Sequence, residues 1–220
     1  MTSEDVTPIS LLIDLFQRVL TINKWEQRRN LAINLKALSL KPGSKCLDFG
    51  CGTGLFAPVF LKLNLKYHGY DINDRLLGYA ARIYGRARFT SSPDDLRTAA
   101  PFDLILSNCC FHHIDPKTLT AELVGLETLL ADNGTFMMID IMIPRDDPPW
   151  LCNQFRKLEK GAFIRSRDDN ETLVKNHFDI LQSKTERSHY FSLNNNPIYN
   201  DLMVLVCKKR TRQQTTSARL

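Results

Sequence analysis

Apolar and polar residues follow one another along the chain in blocks that predict a regular series of helices and strands. Ile9 to Leu20 and Trp25 to Leu38 carry apolar residues at helical spacing, and the second pattern ends before the turn-forming Lys41-Pro42-Gly43. Short apolar runs then alternate with helical patterns of about 10 to 15 residues, as in a parallel sheet covered by helices. We therefore expect two helices ahead of a series of β-α units.

Five apolar segments predict the parallel strands, at residues 44–49, 66–70, 87–91, 102–107 and 135–143. Residues 115–131 predict a helix that starts at Asp115-Pro116 and stops at Asp132-Asn133-Gly134. Two later strands are expected at 178–183 and 202–207, with helices near 151–160 and 168–175 before them. The polar connection between these strands favours a hairpin, so one closing strand should run antiparallel.

The length of 220 residues fits one large α/β domain. We divide it into an N-terminal helical cap (1–40), a main domain (41–208) with an insert at about 145–167, and a basic flexible tail (209–220). The net charge of +5 is accounted for by five basic residues in and next to that tail, at positions 208, 209, 210, 212 and 219. The remainder is close to neutral, which makes nucleic acid an unlikely partner.

The N-terminus carries neither a secretory signal nor an apolar run long enough for a membrane span. Six cysteines are present, two of them adjacent, and a chain of this length does not need disulfides. We therefore expect reduced thiols in a cytoplasmic protein. The oligomeric state is not predicted.

The most informative segment runs from Asp48 through Gly50-Cys51-Gly52-Thr53-Gly54, where a strand enters a glycine loop and then a helix. Such a loop brings the backbone and the free amides of a helix start close to a ligand. No Gly-Lys-Ser/Thr follows, so a P-loop is excluded. A dinucleotide site is disfavoured but not excluded. Its Gly-x-Gly-x-x-Gly spacing, counted from Gly52, places Ala57 in the last position, where alanine is an allowed variant. Asp48 argues against a phosphate and for a cationic ligand.

Asp71 ends the next strand, 17 residues after Gly54. A carboxylate in that place can accept hydrogen bonds from both ribose hydroxyls of an adenosine ligand. The alternative is that Asp71 only caps the turn before Ile72-Asn73-Asp74.

Together these segments resemble the class I S-adenosylmethionine-dependent methyltransferase family. The resemblance rests on Cys46 to Gly54, Tyr70-Asp71-Ile72, Phe102 to Asn108 and the Asp132-to-Phe136 turn; it covers residues 25–143 well and the C-terminal third loosely. It implies a three-layer, Rossmann-like α/β fold with a seven-stranded sheet, mostly parallel with one antiparallel strand and helices on both faces. The stretch Lys160 to Ser166 also resembles bacterial methyltransferases of biosynthetic clusters.

The resemblance implies S-adenosylmethionine as cofactor and S-adenosylhomocysteine as product. Asp48 and the loop Gly50, Cys51, Gly52 and Gly54 would hold the methionine part, and Asn108 would lie beside its amine. Asp71 would hold the ribose and Ile72 would pack on the adenine. Ser92 and Pro93 take the place where the family usually has an acidic residue near the adenine amino group, with Asp94 close by.

His113 and His112 follow the fourth strand, at the edge of the sheet where ligands bind. We expect His113 first, and His112 second, to accept a proton from the acceptor or to orient it. Alternatively, one imidazole packs under the next helix and bonds to backbone. A proton-accepting histidine is not required, because many methyltransferases work by orientation alone. Cys109, Cys110, His112, His113 and Asp115 lack the ligand spacing of zinc sites, so no metal is expected.

The acceptor is expected under a cap of the N-terminal helices and the 145–167 insert. Candidate residues there are Trp25, Arg28, Arg29, Trp150, Phe155, Arg156, Lys157, Phe163 and Arg165, with Tyr190 and Phe191 at the border. The three basic residues of the insert could meet an anionic acceptor, or the insert is simply a packed cap with a solvated charged face.

A small-molecule acceptor is the leading hypothesis for function. An RNA or protein methyltransferase is the second hypothesis, and it would need a basic groove. The Asn-Pro-Pro-Tyr signature of enzymes that methylate amino groups of nucleic acids is replaced here by Asn108-Cys109-Cys110-Phe111. A third is a partner subunit that binds S-adenosylmethionine without turnover. A nicotinamide dehydrogenase is disfavoured by Asp48.

Overall fold

A computed structural model describes residues 24–144, 146–150, 152–153, 161–193 and 196–210. The strands are β1 (Lys45–Phe49), β2 (Lys66–Tyr70), β3 (Arg88–Thr90), β4 (Phe102–Asn108), β5 (Leu130–Ile141), β6 (Phe178–Leu193) and β7 (Asn196–Lys209). The helices are α1 (Lys24–Ala37), α2 (Ala57–Lys62), α3 (Asp74–Ile83), α4 (Pro93–Ala99), α5 (Pro116–Leu129) and α6 (Arg167–Lys175), and a single 3-10 turn covers Phe111–His113.

The strands form one seven-stranded sheet in the order β3-β2-β1-β4-β5-β7-β6. Strands β1 to β5 pair in parallel, whereas β7 runs antiparallel to both of its neighbours, β5 and β6. The expected Rossmann-like sheet with one antiparallel strand is therefore confirmed, as is the hairpin that closes it. Because the parallel strands end at one edge, the loops after β1, β2, β4 and β5 meet there.

Helices cover both faces of the sheet and bury them in two apolar layers. Helices α1, α2 and α3 pack on one face, where Leu31 and Phe60 contact strand residues such as Leu106. Helices α4, α5 and α6 pack on the other, which we call the α5 face, where Leu123 contacts residues such as Phe136. Strand β5 is buried on both sides, which explains its nearly continuous apolar sequence.

Three details differ from the pattern in the sequence. Helix α4 was not predicted, although Ser92 caps its first turn and Pro93 is its first residue. Helix α5 ends at Leu129, not at the Asp132-Asn133-Gly134 stop, because Leu130 is already extended and pairs with Phe102. The closing hairpin is also much longer than the two segments that predicted it, since both strands continue into polar residues beyond the buried sheet.

Several predictions lie outside the described residues, namely the helix at 9–20, Phe155, Arg156, Lys157, the tail after residue 210 and the side chains of Tyr190 and Phe191. The division into cap, main domain, insert and tail stays a prediction. Among the described helices, none combines the length and apolar character needed to cross a membrane.

Candidate active site at the carboxyl edge of the sheet

The loop after β1 is held open and close to β2 by its glycines. Gly50, Gly52 and Gly54 have φ angles of +77°, +52° and +71°, which side-chain-bearing residues rarely adopt. The amides of Gly50 and Cys51 both donate to the carbonyl of Tyr70, at 2.8 and 2.9 Å. The loop thereby exposes backbone at the sheet edge and is fixed to the end of the neighbouring strand.

The space around this loop is tight on one side and open on the other. A Cβ on Gly50 would lie 2.3 Å from Sγ of Cys110, so the turn after β4 packs directly on the loop. A Cβ on Gly52 would meet nothing within 4 Å. The loop therefore leaves room for a ligand at Gly52, whereas at Gly50 it packs against the turn after β4.

Asp48 is a buried carboxylate near the end of β1. Its Oδ2 accepts a hydrogen bond from the Tyr67 hydroxyl at 2.7 Å, and Asp48 as a whole is 1% exposed. Burial raises the pKa of the Asp48 carboxyl to about 7, against the lowering effect of the Tyr67 hydrogen bond and with a further rise from the charge of Asp71. A cation bound near this carboxylate would stabilise its ionised form.

Asp71 does two things at the end of β2. Its Oδ2 accepts from the Gly52 amide at 2.8 Å, and its Oδ1 accepts from the Asn73 amide at 2.9 Å. The residue thus caps the turn before α3, as the alternative held, and also fixes the glycine loop. Ile72 beside it is 46% exposed, so an apolar side chain stands open next to the loop.

The adenine end of the expected cofactor site has no acidic side chain in the place where the family usually carries one. Ser92 accepts from the Asp95 amide at 3.4 Å and so caps α4, and Pro93 is exposed on the first turn. Asp95 is engaged by the Thr90 hydroxyl at 2.6 Å. Any contact of Ser92 or Pro93 with an adenine stays a prediction.

The two histidines after β4 have different surroundings. His112 is 1% exposed, and its Nδ1 contacts Oδ1 of Asp140. The other oxygen of Asp140 accepts from the His112 amide at 2.9 Å, and Oδ1 also accepts from the Ile141 amide at 2.9 Å. His113 is exposed, with its ring centroid 4.1 Å from that of His112. Asp140, which the sequence analysis did not single out, therefore holds the histidine turn.

The end of the insert packs on this turn from the α5 face of the sheet. Arg165 is 9% exposed and donates to the carbonyls of Phe111, at 3.0 Å, and Ile114. The Phe163 amide donates to the carbonyl of His112 at 2.9 Å. Because the Arg165 guanidinium binds two backbone carbonyls, it holds the turn in place, and the expectation that it meets an anionic acceptor is not supported by these contacts.

A cleft opens on the other face, between α1 and the ends of β4 and β5. It is narrow, and the space of about 540 Å³ between and in front of its lining residues includes open solvent. Its polar lining includes Gln27, Asn30 and Asn34 of α1, Asn108 of β4 and Glu186 of β6, and its apolar lining includes Leu31, Phe56, Ile139 and Ile141. The cleft thus adjoins Asn108, the residue expected beside the methionine amine.

The residues of α1 that were expected to cap the acceptor do not line this cleft. Arg28 donates to the Leu55 carbonyl at 2.8 Å and to the Tyr84 hydroxyl at 3.1 Å, so it joins α1 to the turn after the glycine loop and to the end of α3. Trp25 is 72% exposed and stacks with Arg29, whose guanidinium carbon lies 5.7 Å from the ring centroid. The residues of α1 that line the cleft are Gln27, Asn30, Leu31 and Asn34 instead.

Family comparison agrees with this geometry. A family model described as a methyltransferase domain matches residues 23–187, which is most of the chain and includes every residue expected to bind the cofactor or to act in catalysis. The chain belongs to the class I S-adenosylmethionine-dependent methyltransferases. S-adenosylmethionine is accordingly the cofactor of this methyltransferase.

Relatives of the methyltransferase show the same family and fold. An uncharacterized methyltransferase of Synechocystis sp. is 27% identical over 139 residues, which cover 62% of this chain and 64% of the relative, so the match leaves more than a third of that relative's length outside it. A TehB-like SAM-dependent methyltransferase from Corynebacterium glutamicum shares the fold, with 18% identity, a TM-score of 0.57 and coverage of 84% of this chain and 96% of that chain.

A third likeness is to a structure that concerns the conversion of a disulfide bond into a thioacetal group during echinomycin biosynthesis. It has 15% identity and a TM-score of 0.64, and covers 83% of this chain and 82% of that one. At such identities these likenesses show the fold of the methyltransferase and not its acceptor.

The structure also bears on metals and cysteines. In the part of the methyltransferase that is described, no group of three or more His, Cys, Asp or Glu side chains could hold a metal ion. All six cysteines are described and none forms a disulfide.

Functional candidates that sequence reasoning missed are Asp140 and the amides Gln27, Asn30 and Asn34. Asp140 had a visible signal, since it is the single charged residue in the apolar run from Phe136 to Ile143. The amides had a weaker one, namely polar residues in α1 at positions that share a side with Leu31.

Proposed function

We propose that this protein transfers a methyl group from S-adenosylmethionine to a small molecule that binds in the cleft beside Asn108. The observation that carries this proposal is the position of the cleft at the carboxyl edge of the sheet, adjoining a residue of the expected cofactor site. The echinomycin-related structure shares the fold, which is consistent with a small-molecule acceptor. The cytoplasmic location expected from the sequence belongs to the same proposal.

The residues at the sheet edge fit the cofactor. Asp48 is a buried carboxyl whose ionised form would be stabilised by a ligand that brings an ammonium and a sulfonium, and the open side of Gly52 gives that ligand room. The Asp71 carboxylate, half-buried at the strand end, suits a ribose, and the exposed Ile72 suits an adenine. In this proposal Gly50, Cys51, Gly54 and Asn108 complete the methionine site, and Ser92 and Pro93 border the adenine.

When bound, the cofactor supplies a methyl carbon on a sulfonium, whose bond to sulfur breaks as the acceptor atom attacks, leaving S-adenosylhomocysteine. The protein's own contribution is mainly to position the acceptor. His113, whose exposed ring could reach a solute, is our first candidate to take the acceptor's proton. His112 ranks second, because its ring is buried and already contacts Asp140, which leaves it less accessible to an acceptor.

Calorimetric titration with S-adenosylhomocysteine and, separately, NAD tests the cofactor part of the proposal. We expect micromolar binding of the first, none of the second, and loss of binding in Asp71→Ala. Binding of NAD alone would return Gly50 to Gly54 to a dinucleotide site.

His113→Ala tests the proton-acceptor role. We expect a strong fall in turnover with nearly unchanged affinity for S-adenosylhomocysteine, and an equal loss of both would count against the role.

Slow cofactor hydrolysis that no acceptor pool stimulates would favour a non-catalytic partner subunit, and salt-dependent RNA binding would favour the RNA alternative.

A further inference from the structure

We propose that the cleft selects an electrically neutral acceptor that carries hydroxyl or amide groups on an apolar body. This inference rests on the proposed function and names its substrate class. It is drawn from the polar side chains of α1 that face the cleft and from the charges around them.

Three amide side chains share the inner side of α1. Gln27, Asn30 and Asn34 follow one another at helical spacing and flank Leu31, which is buried on the sheet. A helix that packs on a sheet normally presents an apolar stripe there. A buried amide is costly unless it is hydrogen-bonded, whereas a half-buried one can bond water or a ligand, so burial and partners decide the role of each amide.

The most buried of the three amides, Asn34, is bonded within the protein. Nδ2 of Asn34 donates to Oε1 of Glu186 at 3.3 Å, and its Oδ1 accepts from Nζ of Lys184 at 2.8 Å. Lys184 and Glu186 also contact each other at 2.6 Å. Asn34 therefore joins α1 to β6, and both its amide nitrogen and its amide oxygen already have a partner within the protein.

Gln27 and Asn30 differ from Asn34. Both side chains are half-buried at the cleft, and neither makes a hydrogen bond to any of the described residues. An amide offers donors on nitrogen and an acceptor on oxygen, so it is matched by a group with both functions, such as a hydroxyl or another amide. These two side chains are the ligand-recognising pair of the proposal.

The charges at the cleft are already compensated. Glu186 is neutralised by Lys184, and Arg187 contacts Asp201 at 3.0 Å and stacks on Tyr199 at 3.9 Å. A charged acceptor would lose hydration on entry and gain no uncompensated opposite charge among the described lining residues. A neutral acceptor with an apolar body against Leu31, Phe56 and Ile139 has no such penalty.

The experiment compares methyl transfer from labelled S-adenosylmethionine to separate pools of neutral phenols and alcohols, carboxylic acids, amines and phosphate monoesters. We expect label in the neutral pool. Asn30→Leu and Gln27→Leu should raise the KM for that acceptor about three- to tenfold, the effect of one lost neutral hydrogen bond, without changing S-adenosylhomocysteine affinity. Ile33→Ala, on the exposed side of the same helix, should leave both unchanged.

A second measurement follows the side-chain amide NMR signals of Gln27 and Asn30 in protein saturated with S-adenosylhomocysteine. The neutral pool should shift them and the acidic pools should not. Transfer only to a charged pool, unchanged KM in both variants, or amide signals that no pool shifts would overturn the inference. Failure of wild-type protein to bind S-adenosylhomocysteine would overturn the proposed function itself.

Discussion

At the sheet edge beyond β4 and β5, the polar side chains of the α5 face differ in their partners from two amides of the α1 face. On the α5 face, Asp140, His112 and Arg165 are buried and bonded to one another or to backbone. On the α1 face, the side chains of Gln27 and Asn30 border a cleft and hydrogen-bond to none of the described residues. Successive strand residues point to opposite faces, so Asp140 lies behind the cleft wall formed by Ile139 and Ile141. The polar groups bonded within the protein hold the histidine turn, whereas the two half-buried amides are the ones to which we assign ligand recognition.

The largest expected effect comes from removing the fixed carboxylate. Asp140→Ala leaves the amides of His112 and Ile141 and the His112 ring without their acceptor in a buried place. We expect a loss of about 3 to 5 kcal/mol in the free energy of unfolding, measured by urea denaturation. Asn30→Ala on the other face is the matched control and should cost nothing, since alanine is the better helix former. Equal losses in the two variants would break the comparison.

An intermediate effect is expected where the insert meets the histidine ring. A Cβ on Gly161 would lie 2.1 Å from Cδ2 of His112, and that ring is held by Asp140 and so has little freedom to withdraw. Gly161→Ala should therefore destabilise the fold by about 1 to 3 kcal/mol. Gly125→Ala, inside α5 where a Cβ meets nothing within 4 Å, should stabilise it by about 0.5 to 1 kcal/mol. A Gly161→Ala protein as stable as wild type would show that the ring is not fixed.

The smallest effect concerns Asp48, a buried polar group that we assign to the cofactor. Its raised pKa of about 7 means that the carboxyl is largely protonated at pH 6 and mostly ionised at pH 7.5. An ammonium-bearing ligand favours the ionised form, so affinity for S-adenosylhomocysteine should rise with pH over this window, by up to about eightfold. Above it the ligand's own ammonium begins to lose its proton.

Asp48→Asn provides the control for that pH dependence, because an amide can still accept from the Tyr67 hydroxyl but does not titrate. Calorimetric titrations at several pH values should show a flat profile in this variant. A wild-type profile that is flat, or that falls as pH rises to 7.5, would mean that Asp48 does not contact the cation.

Local motifs made the cofactor half of the molecule predictable from sequence. The glycine loop, Asp71 and the strands before them are set by residues close together in the chain, and β2 begins and ends at the predicted residues. The closing hairpin was anticipated in kind but not in length, because only its buried part carries an apolar signal.

The acceptor half depends on contacts between distant residues. His112 and Asp140 are 28 residues apart and meet only because β4 and β5 pair in one register. Arg165 looked like an anion ligand by residue type, yet its guanidinium binds carbonyls 54 and 51 residues away. The amides of α1 gained significance only once the helix was packed on the sheet and the cleft beside it was visible.

The most direct test of the account is methyl transfer from labelled S-adenosylmethionine into a cell extract separated afterwards into low-molecular-mass, protein and RNA fractions. We expect label in the low-molecular-mass fraction, with wild type well above His113→Ala and Asp71→Ala. Label confined to the protein or RNA fraction would contradict a small-molecule acceptor.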